Sequence, residues 1–167
     1  MKTVLAGMLS LMLATAAWAA NDSVVHWKDI VGVITALNVD QPVGDNIHSG
    51  TFAWSTRSGH ATVNLETGKT TFDVQGLNIN GTVFSGTPGP VTAVTGTLVC
   101  NAGDQGTEAI LDTAEAPLSA QGAAHFTGII RGIPAPCTNP LFLIRIANPV
   151  QAAGLWIATG HERTGGN

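Results

Sequence analysis

Gly59-His60-Ala61-Thr62-Val63-Asn64-Leu65-Glu66-Thr67-Gly68-Lys69-Thr70-Thr71-Phe72-Asp73-Val74-Gln75-Gly76-Leu77 is the stretch that decides the fold. Ala61, Val63 and Leu65 alternate with Thr62, Asn64 and Glu66; after Thr67-Gly68-Lys69, Phe72 and Val74 alternate with Thr71, Asp73 and Gln75. Successive side chains of a strand point to opposite faces, so period-two alternation on both sides of a glycine turn predicts a hairpin. Val63, Leu65, Phe72 and Val74 are expected to face inward, and Thr62, Asn64, Thr71 and Asp73 outward.

Working outward, further strands are expected at Val91–Cys100, Ala123–Ile130, Leu141–Ile146 and Leu155–Gly160. The run Leu141-Phe142-Leu143-Ile144 is apolar at every position, which predicts a strand covered on both faces. Pro88, Pro90, Pro134, Pro136 and Pro140 fall between these runs, where a missing N–H is tolerated. Asn101–Gly106 and Arg163–Asn167 read as a mobile loop and a fraying terminus.

Two segments carry mixed signals. In Val24–Leu37, Trp27, Ile30, Val31, Ile34 and Leu37 share a helical face, whereas Trp27, Val31, Val33, Leu37 and Val39 share a strand face. Gly32 and the β-branched run tip the reading toward strand. Thr107–Ala116 contains good helix formers behind Thr107, which could cap a helix. An all-β setting favours a strand at Glu108–Thr113, because tertiary context overrides local propensity.

Composition agrees with a sheet protein. Twenty Gly, twenty Thr, eight Pro and no Tyr, with 11% charged residues, supply β-formers and turns rather than amphipathic helices. The expected fold is a single immunoglobulin-like antiparallel β-sandwich.

The chain opens MKTVLAGMLSLMLATAAWAA. Lys2 gives a positive n-region, Val4–Ala17 an uncharged apolar stretch, and Ala17-Trp18-Ala19 the small-x-small pattern of a signal-peptidase site. The apolar run is shorter than the ~20 residues that span a bilayer. Residues 1–19 are therefore expected to be a signal peptide. Residues 20–167 would form one exported domain, periplasmic or extracellular, with no membrane span after processing. Loss of Lys2 leaves 6 Lys+Arg against 11 Asp+Glu, a formal charge of −5. Such a mildly acidic chain lacks the basic surface that nucleic acid requires. Cys100 and Cys137 lie 37 positions apart, and in an oxidising compartment two such cysteines are expected to pair.

The pattern Gly59-x-Ala61-x-Val63-x-Leu65-x-x-Gly68 followed by Phe72-x-Val74-x-Gly76-Leu77 resembles the opening hairpin of chordin-type (CHRD) modules. The strand Leu141–Ile146 with Asn148-Pro149 resembles that family's late strand. Such modules tend to carry His-x-His after the hairpin; this chain has Asn78-Ile79-Asn80 there. The resemblance implies a secreted immunoglobulin-like sandwich and no particular activity.

Chemistry-bearing motifs are sparse. The sequence contains no Gly-x-Ser-x-Gly, Ser-x-x-Lys, His-Glu-x-x-His or Cys-x-x-Cys, and Ser58-Gly59-His60 is ordinary spacing at a strand start. Gly86-Thr87-Pro88-Gly89-Pro90 lacks a lysine, and its prolines remove donors that a phosphate cradle needs. Glu66 with Asp73 and Asp112 with Glu115 read as solvated acids, since beyond residue 19 only Trp27, Trp54 and Trp156, and no Tyr, could join the phenylalanines in a sugar platform. His60, His125 and His161 are the metal-ligand candidates: parity turns His60 and His125 to solvent, His161 ends the last strand, and the three could converge at one edge of the sandwich, where neutral imidazoles suit zinc or copper. Three separate surface histidines with no cofactor is the plainer expectation.

The function expected from these features is an exported, non-enzymatic sandwich with a structural, adhesive or ligand-binding role toward an unknown protein or cell-surface ligand. A fimbrial subunit built by strand addition is one version of it. The alternative is a secreted hydrolase or metal-dependent enzyme using surface histidines.

Overall fold

The computed structural model of the chain describes residues 23–148 and 154–162. Residues 1–19, expected to be a signal peptide, and the Arg163–Asn167 tail lie outside the described residues. Among those described there are strands and no helix. In chain order they are β1 (Val24–Gly32), β2 (Ala53–Ser55), β3 (Ser58–Asn64), β4 (Lys69–Gln75), β5 (Asn78–Asn80) and β6 (Ala93–Cys100). They continue with β7 (Ala109–Asp112), β8 (Ala116–Pro117), β9 (Ala124–Ile129), β10 (Leu141–Asn148) and β11 (Trp156–Glu162).

The hairpin forms as its alternation predicts. β3 and β4 pair with Ala61 opposite Phe72 and Val63 opposite Thr70. Val63, Phe72 and Val74 are fully buried. Leu65, expected inward, is only half-buried because it has already entered the turn. Asn64 Oδ1 accepts the backbone N–H groups of Glu66 (3.0 Å) and Thr67 (2.8 Å), which closes that turn. Gly68 completes it at φ 72°, where a Cβ would lie 1.9 Å from the Ile130 carbonyl oxygen. Only glycine fits there.

Nine strands join one antiparallel sheet in the order β7-β6-β10-β11-β1-β3-β4-β9, with β8 also on β6, and β2 pairs separately with β5. The sheet curls on itself to make the sandwich. Phe72 of β4 and Phe142 of β10, with three strands between them in that order, meet as tilted rings 6.0 Å apart across the interior, and Trp27 meets Phe142 at 5.5 Å. Phe72 stacks on its cross-strand neighbour Phe126 at 5.6 Å. The core is thus an aromatic cluster ringed by Leu98, Val63, Ile144 and Ala158, all fully buried.

Gly96–Cys100 of β6 and Phe142–Ile144 of β10 are buried at every position. Their apolar runs therefore mark strands covered on both faces, as expected. Within Thr107–Ala116 no helix forms: Thr107 closes a turn on the Asp104 carbonyl, and the expected Glu108–Thr113 strand is β7, Ala109–Asp112, pairing Leu111 to Leu98 and Ile110 to Val99. Cross-strand packing decides the conformation of that helix-prone stretch.

Val24–Leu37 is a strand only as far as Gly32, and it is not a regular one. Lys28 pairs with His161 and Val31 with Thr159, so β1 carries one extra residue. Asp29, at φ 54°, sits in this bulge. The bulge resets the alternation, so Trp27 and Ile30 are both buried while Val31 is exposed; Leu37 and Val39, also exposed, lie in the loop beyond β1. A three-residue spacing of buried side chains in a strand is what mimicked a helix in the sequence.

Candidate functional site

Strand register brings the candidate histidines into one line. On the outer face, His161 of β11 lies opposite Lys28 of β1, Lys28 opposite His60 of β3, His60 opposite Asp73 of β4, and Asp73 opposite His125 of β9. A second line runs His26, Thr62, Thr71 and Thr127, with Thr62 and Thr71 hydroxyls 2.7 Å apart. His60 and His125 are exposed, as parity predicted, and so is His161.

Within this row the histidines do not cluster. Neighbouring strands stand ~4.8 Å apart, so His161 and His60, with Lys28 between them, are separated by about two strand spacings, as are His60 and His125 across Asp73. The Lys28 ammonium would oppose a cation in the first gap. In the second, His125 Nδ1 lies 3.6 Å from Asp73 Oδ2 and its Nε2 lies 3.3 Å from Thr127 Oγ1. Among the described residues, no three His, Cys, Asp or Glu side chains are grouped to hold a metal ion.

Cys100 and Cys137 form a disulfide with Cα atoms 5.0 Å apart, tying the end of β6 to the segment that enters β10. Asn101 reinforces it. Its N–H donates to the Thr138 carbonyl, and its Oδ1 accepts from the Thr138 N–H at 2.9 Å and hydroxyl at 2.6 Å. Elsewhere the Asp112 carboxylate accepts the Thr97 hydroxyl at 2.6 Å and pairs with Arg145 at 3.2 Å, a partnered surface acid.

Sequence reading missed a polar knot at Asp40, His48 and Ser49. His48 Nδ1 lies 2.6 Å from Asp40 Oδ2, and the Ser49 N–H donates to Asp40 Oδ1 at 2.9 Å. The His48 hydrogen bond, then the Ser49 N–H, hold the Asp40 carboxyl below its ordinary value. The knot fixes a loop that is also pinned to β11, where the Trp156 N–H donates to the His48 carbonyl and the Trp156 indole to the Gln41 carbonyl.

The most distinctive surface lies where three loops meet. Among the described residues eight large apolar side chains are exposed, and six of them, Ile34, Leu37, Val39, Phe52, Val83 and Phe84, belong to residues 33–39, 51–52 and 82–84. The Asn38 N–H donates to the Thr51 carbonyl, joining the first two loops. Phe52 and Phe84 both border a cavity of about 140 Å³ floored by Trp54, Ile79, Val91 and Ile146. Phe52 also borders a second cavity of about 180 Å³, shared with Thr35, Leu37, Asn80 and Thr82. The only trace of this site in the sequence is large apolar residues beside turn formers, as in Gly81-Thr82-Val83-Phe84-Ser85-Gly86.

No family model matches the chain, and neither a curated protein nor a solved structure matches it.

Proposed function

We propose that this chain is an exported, non-enzymatic β-sandwich that binds an apolar ligand at its loop end. The observation that carries the reading is an apolar-walled cavity bordered by the exposed rings of Phe52 and Phe84, whose loops, with residues 33–39, hold six of the eight large apolar side chains exposed among the described residues. Isolated surface hydrophobes are normal, but a patch beside a concave, apolar-walled cavity is what ligand sites look like. Residues bordering the cavity, such as Phe52, Trp54, Ile79, Phe84 and Val91, offer contact area rather than proton transfer or nucleophilic attack.

Export is supported by two features. The Cys100–Cys137 bridge suits an oxidising compartment. The opening twenty residues have the layout of a secretory signal, and no helix among the described residues is long and apolar enough to cross a membrane. N-terminal sequencing of protein recovered from the periplasm or medium is expected to begin at Ala20; retention of Met1 would overturn the export reading.

Ligand binding is tested with xenon, which enters small apolar cavities whatever their natural occupant. Two-dimensional NMR of the oxidised protein under xenon should show shifts concentrated at Phe52, Trp54, Ile79 and Phe84. A spectrum unchanged at those residues would reject the binding reading.

A further inference from the structure

We propose that Asn80 and Gly81, at the tip of the β2–β5 ribbon, form a self-modifying site in which the Asn80 carboxamide becomes a carboxylate without an enzyme. This goes beyond the binding reading above and does not depend on it. The reaction needs a free carboxamide, a free backbone N–H on the next residue and room for the two to meet, with water as the co-reactant. Asn80 ends β5 and is exposed. Gly81 is exposed too, at φ 73°, with nothing within 4 Å of where a Cβ would stand. Glycine leaves the backbone free to rotate and puts no side chain in the path of attack. The flanking groups are engaged: Asn80 pairs with Ala53, the Ile79 N–H donates to Thr87, and the Thr82 N–H donates to Ser85 Oγ. Among the described residues no hydrogen bond engages the Gly81 N–H or the Asn80 side chain.

The other asparagines of the described residues each lack one of these conditions. Asn38 and Asn64 precede Val39 and Leu65, whose N–H groups donate to the Ala36 and Ser23 carbonyls. Asn78 precedes Ile79, whose N–H is held by Thr87. The Asn101 carboxamide is held by Thr107 and Thr138. Asn46 is followed by Ile47, branched at Cβ, and Asn139 and Asn148 are followed by proline, which has no N–H.

Hydroxide takes the Gly81 N–H proton, the nitrogen attacks Asn80 Cγ, and the Cγ–Nδ2 bond breaks, ammonia leaving with a proton from water. The cyclic imide then takes up water. Opening at Cγ leaves an aspartyl residue; opening at the backbone carbonyl leaves an isoaspartyl residue, whose main chain runs through Cβ and Cγ. Either product carries a new carboxylate. No Asp, Glu, Lys or Arg lies between Asp73 and Asp104, so this charge is the first in that stretch. It would stand at a cavity of about 180 Å³ that Asn80 borders together with Leu37 and Phe52. An ion there disfavours apolar contact, because covering it removes its hydration.

The test holds the oxidised full chain in mildly alkaline buffer, follows it over time by ion exchange, and maps each species by peptide mass spectrometry. A more acidic species should grow in, with the amide-to-acid change and the isoaspartyl linkage both at Asn80. Asn80→Gln, whose longer side chain would have to close a larger ring, should remove that species while leaving the backbone as it is. Gly81→Ala should remove it as well; because alanine is strained at this φ, the Asn80→Gln result decides if that variant does not fold. A synthetic peptide of residues 76–86 gives the rate without the fold. Conversion in the folded chain at a rate comparable to the peptide's supports the site. Conversion confined to the peptide would overturn it, since the fold would then protect Asn80. Earlier conversion of any other asparagine, or an acidic species that persists in Asn80→Gln, would overturn it equally.

Discussion

Gly96 of β6 lies directly under the ring of Phe142 of β10: a Cβ added to Gly96 would stand 2.7 Å from Phe142 Cζ and 2.8 Å from the Phe72 ring. The missing side chain is what lets two aromatic rings from opposite parts of the curled sheet meet at 6.0 Å. Gly96→Ala would gain ~0.5–1 kcal/mol from the lower backbone entropy of the unfolded chain. It would lose ~1–3 kcal/mol by forcing fully buried rings apart. Overpacking is the larger effect, so Gly96→Ala should lower the denaturation midpoint; a raised midpoint would show that the rings have room to move.

The hairpin register makes a second prediction. Phe72 is fully buried and touches both Phe126 and Phe142, so Phe72→Ala should cost ~3–5 kcal/mol in reversible denaturation. Thr62 is half-buried on the outer face, where its hydroxyl bonds Thr71 at 2.7 Å. Thr62→Ala should therefore cost only ~0.5–1.5 kcal/mol, the worth of one such bond. Should Thr62→Ala prove the more damaging change, the inward and outward faces would be exchanged, and the outer row of histidines with them.

Reduction should destabilise the protein in a bounded way. Closing a loop over the 37-residue separation of Cys100 and Cys137 is worth ~4 kcal/mol in the chain-entropy model. The Asn101–Thr138 bonds tie the same two segments without sulfur, so part of that order survives reduction. Non-reducing mass spectrometry of the native protein should find no alkylatable thiol. The double variant Cys100→Ala with Cys137→Ala should lose somewhat less than the entropy figure, and a larger loss would mean that the polar tether fails without the bridge.

Acid should loosen the 40–50 loop. Asp40 is held below its ordinary value by His48 and the Ser49 N–H, so its folded value lies under its unfolded one. Stability linked to such a group is present above the unfolded carboxylate value near 3.8 and is lost as pH falls through the folded value. Carboxyl-carbon NMR should show Asp40 titrating below that reference in the native chain. His48→Ala should move it upward, and an unmoved midpoint would assign the shift to the Ser49 N–H alone.

The β1 bulge is testable at Asp29, whose φ of 54° is costly for a branched side chain. Asp29→Val should lose ~1–2 kcal/mol, whereas Asp29→Gly should be neutral or mildly stabilising. Equal behaviour of the two would mean that the backbone at this position is not left-handed.

The sequence alone determined what depends on neighbours along the chain. Alternation in Ala61–Leu65 and Thr71–Gln75 set the hairpin and its faces, and the continuous run Leu141–Ile144 marked a strand buried on both sides. The pairing of Cys100 with Cys137 followed from there being two cysteines and no rival partner. These signals are local because side-chain direction in a strand has a fixed period of two. Where the backbone breaks that period, as at Asp29, the strand face drawn through Trp27, Val31, Val33, Leu37 and Val39 does not hold: Val31 turns outward, and Leu37 and Val39 lie beyond the end of β1. Only the tertiary structure decided that Lys28 and Asp73 stand between the histidines, since that follows from the register of five strands distant in sequence. The same is true of the loop-end cavity. Phe52 and Phe84 are 32 positions apart, and nothing periodic links them; they share a cavity because their loops lie beside each other once β2 pairs with β5.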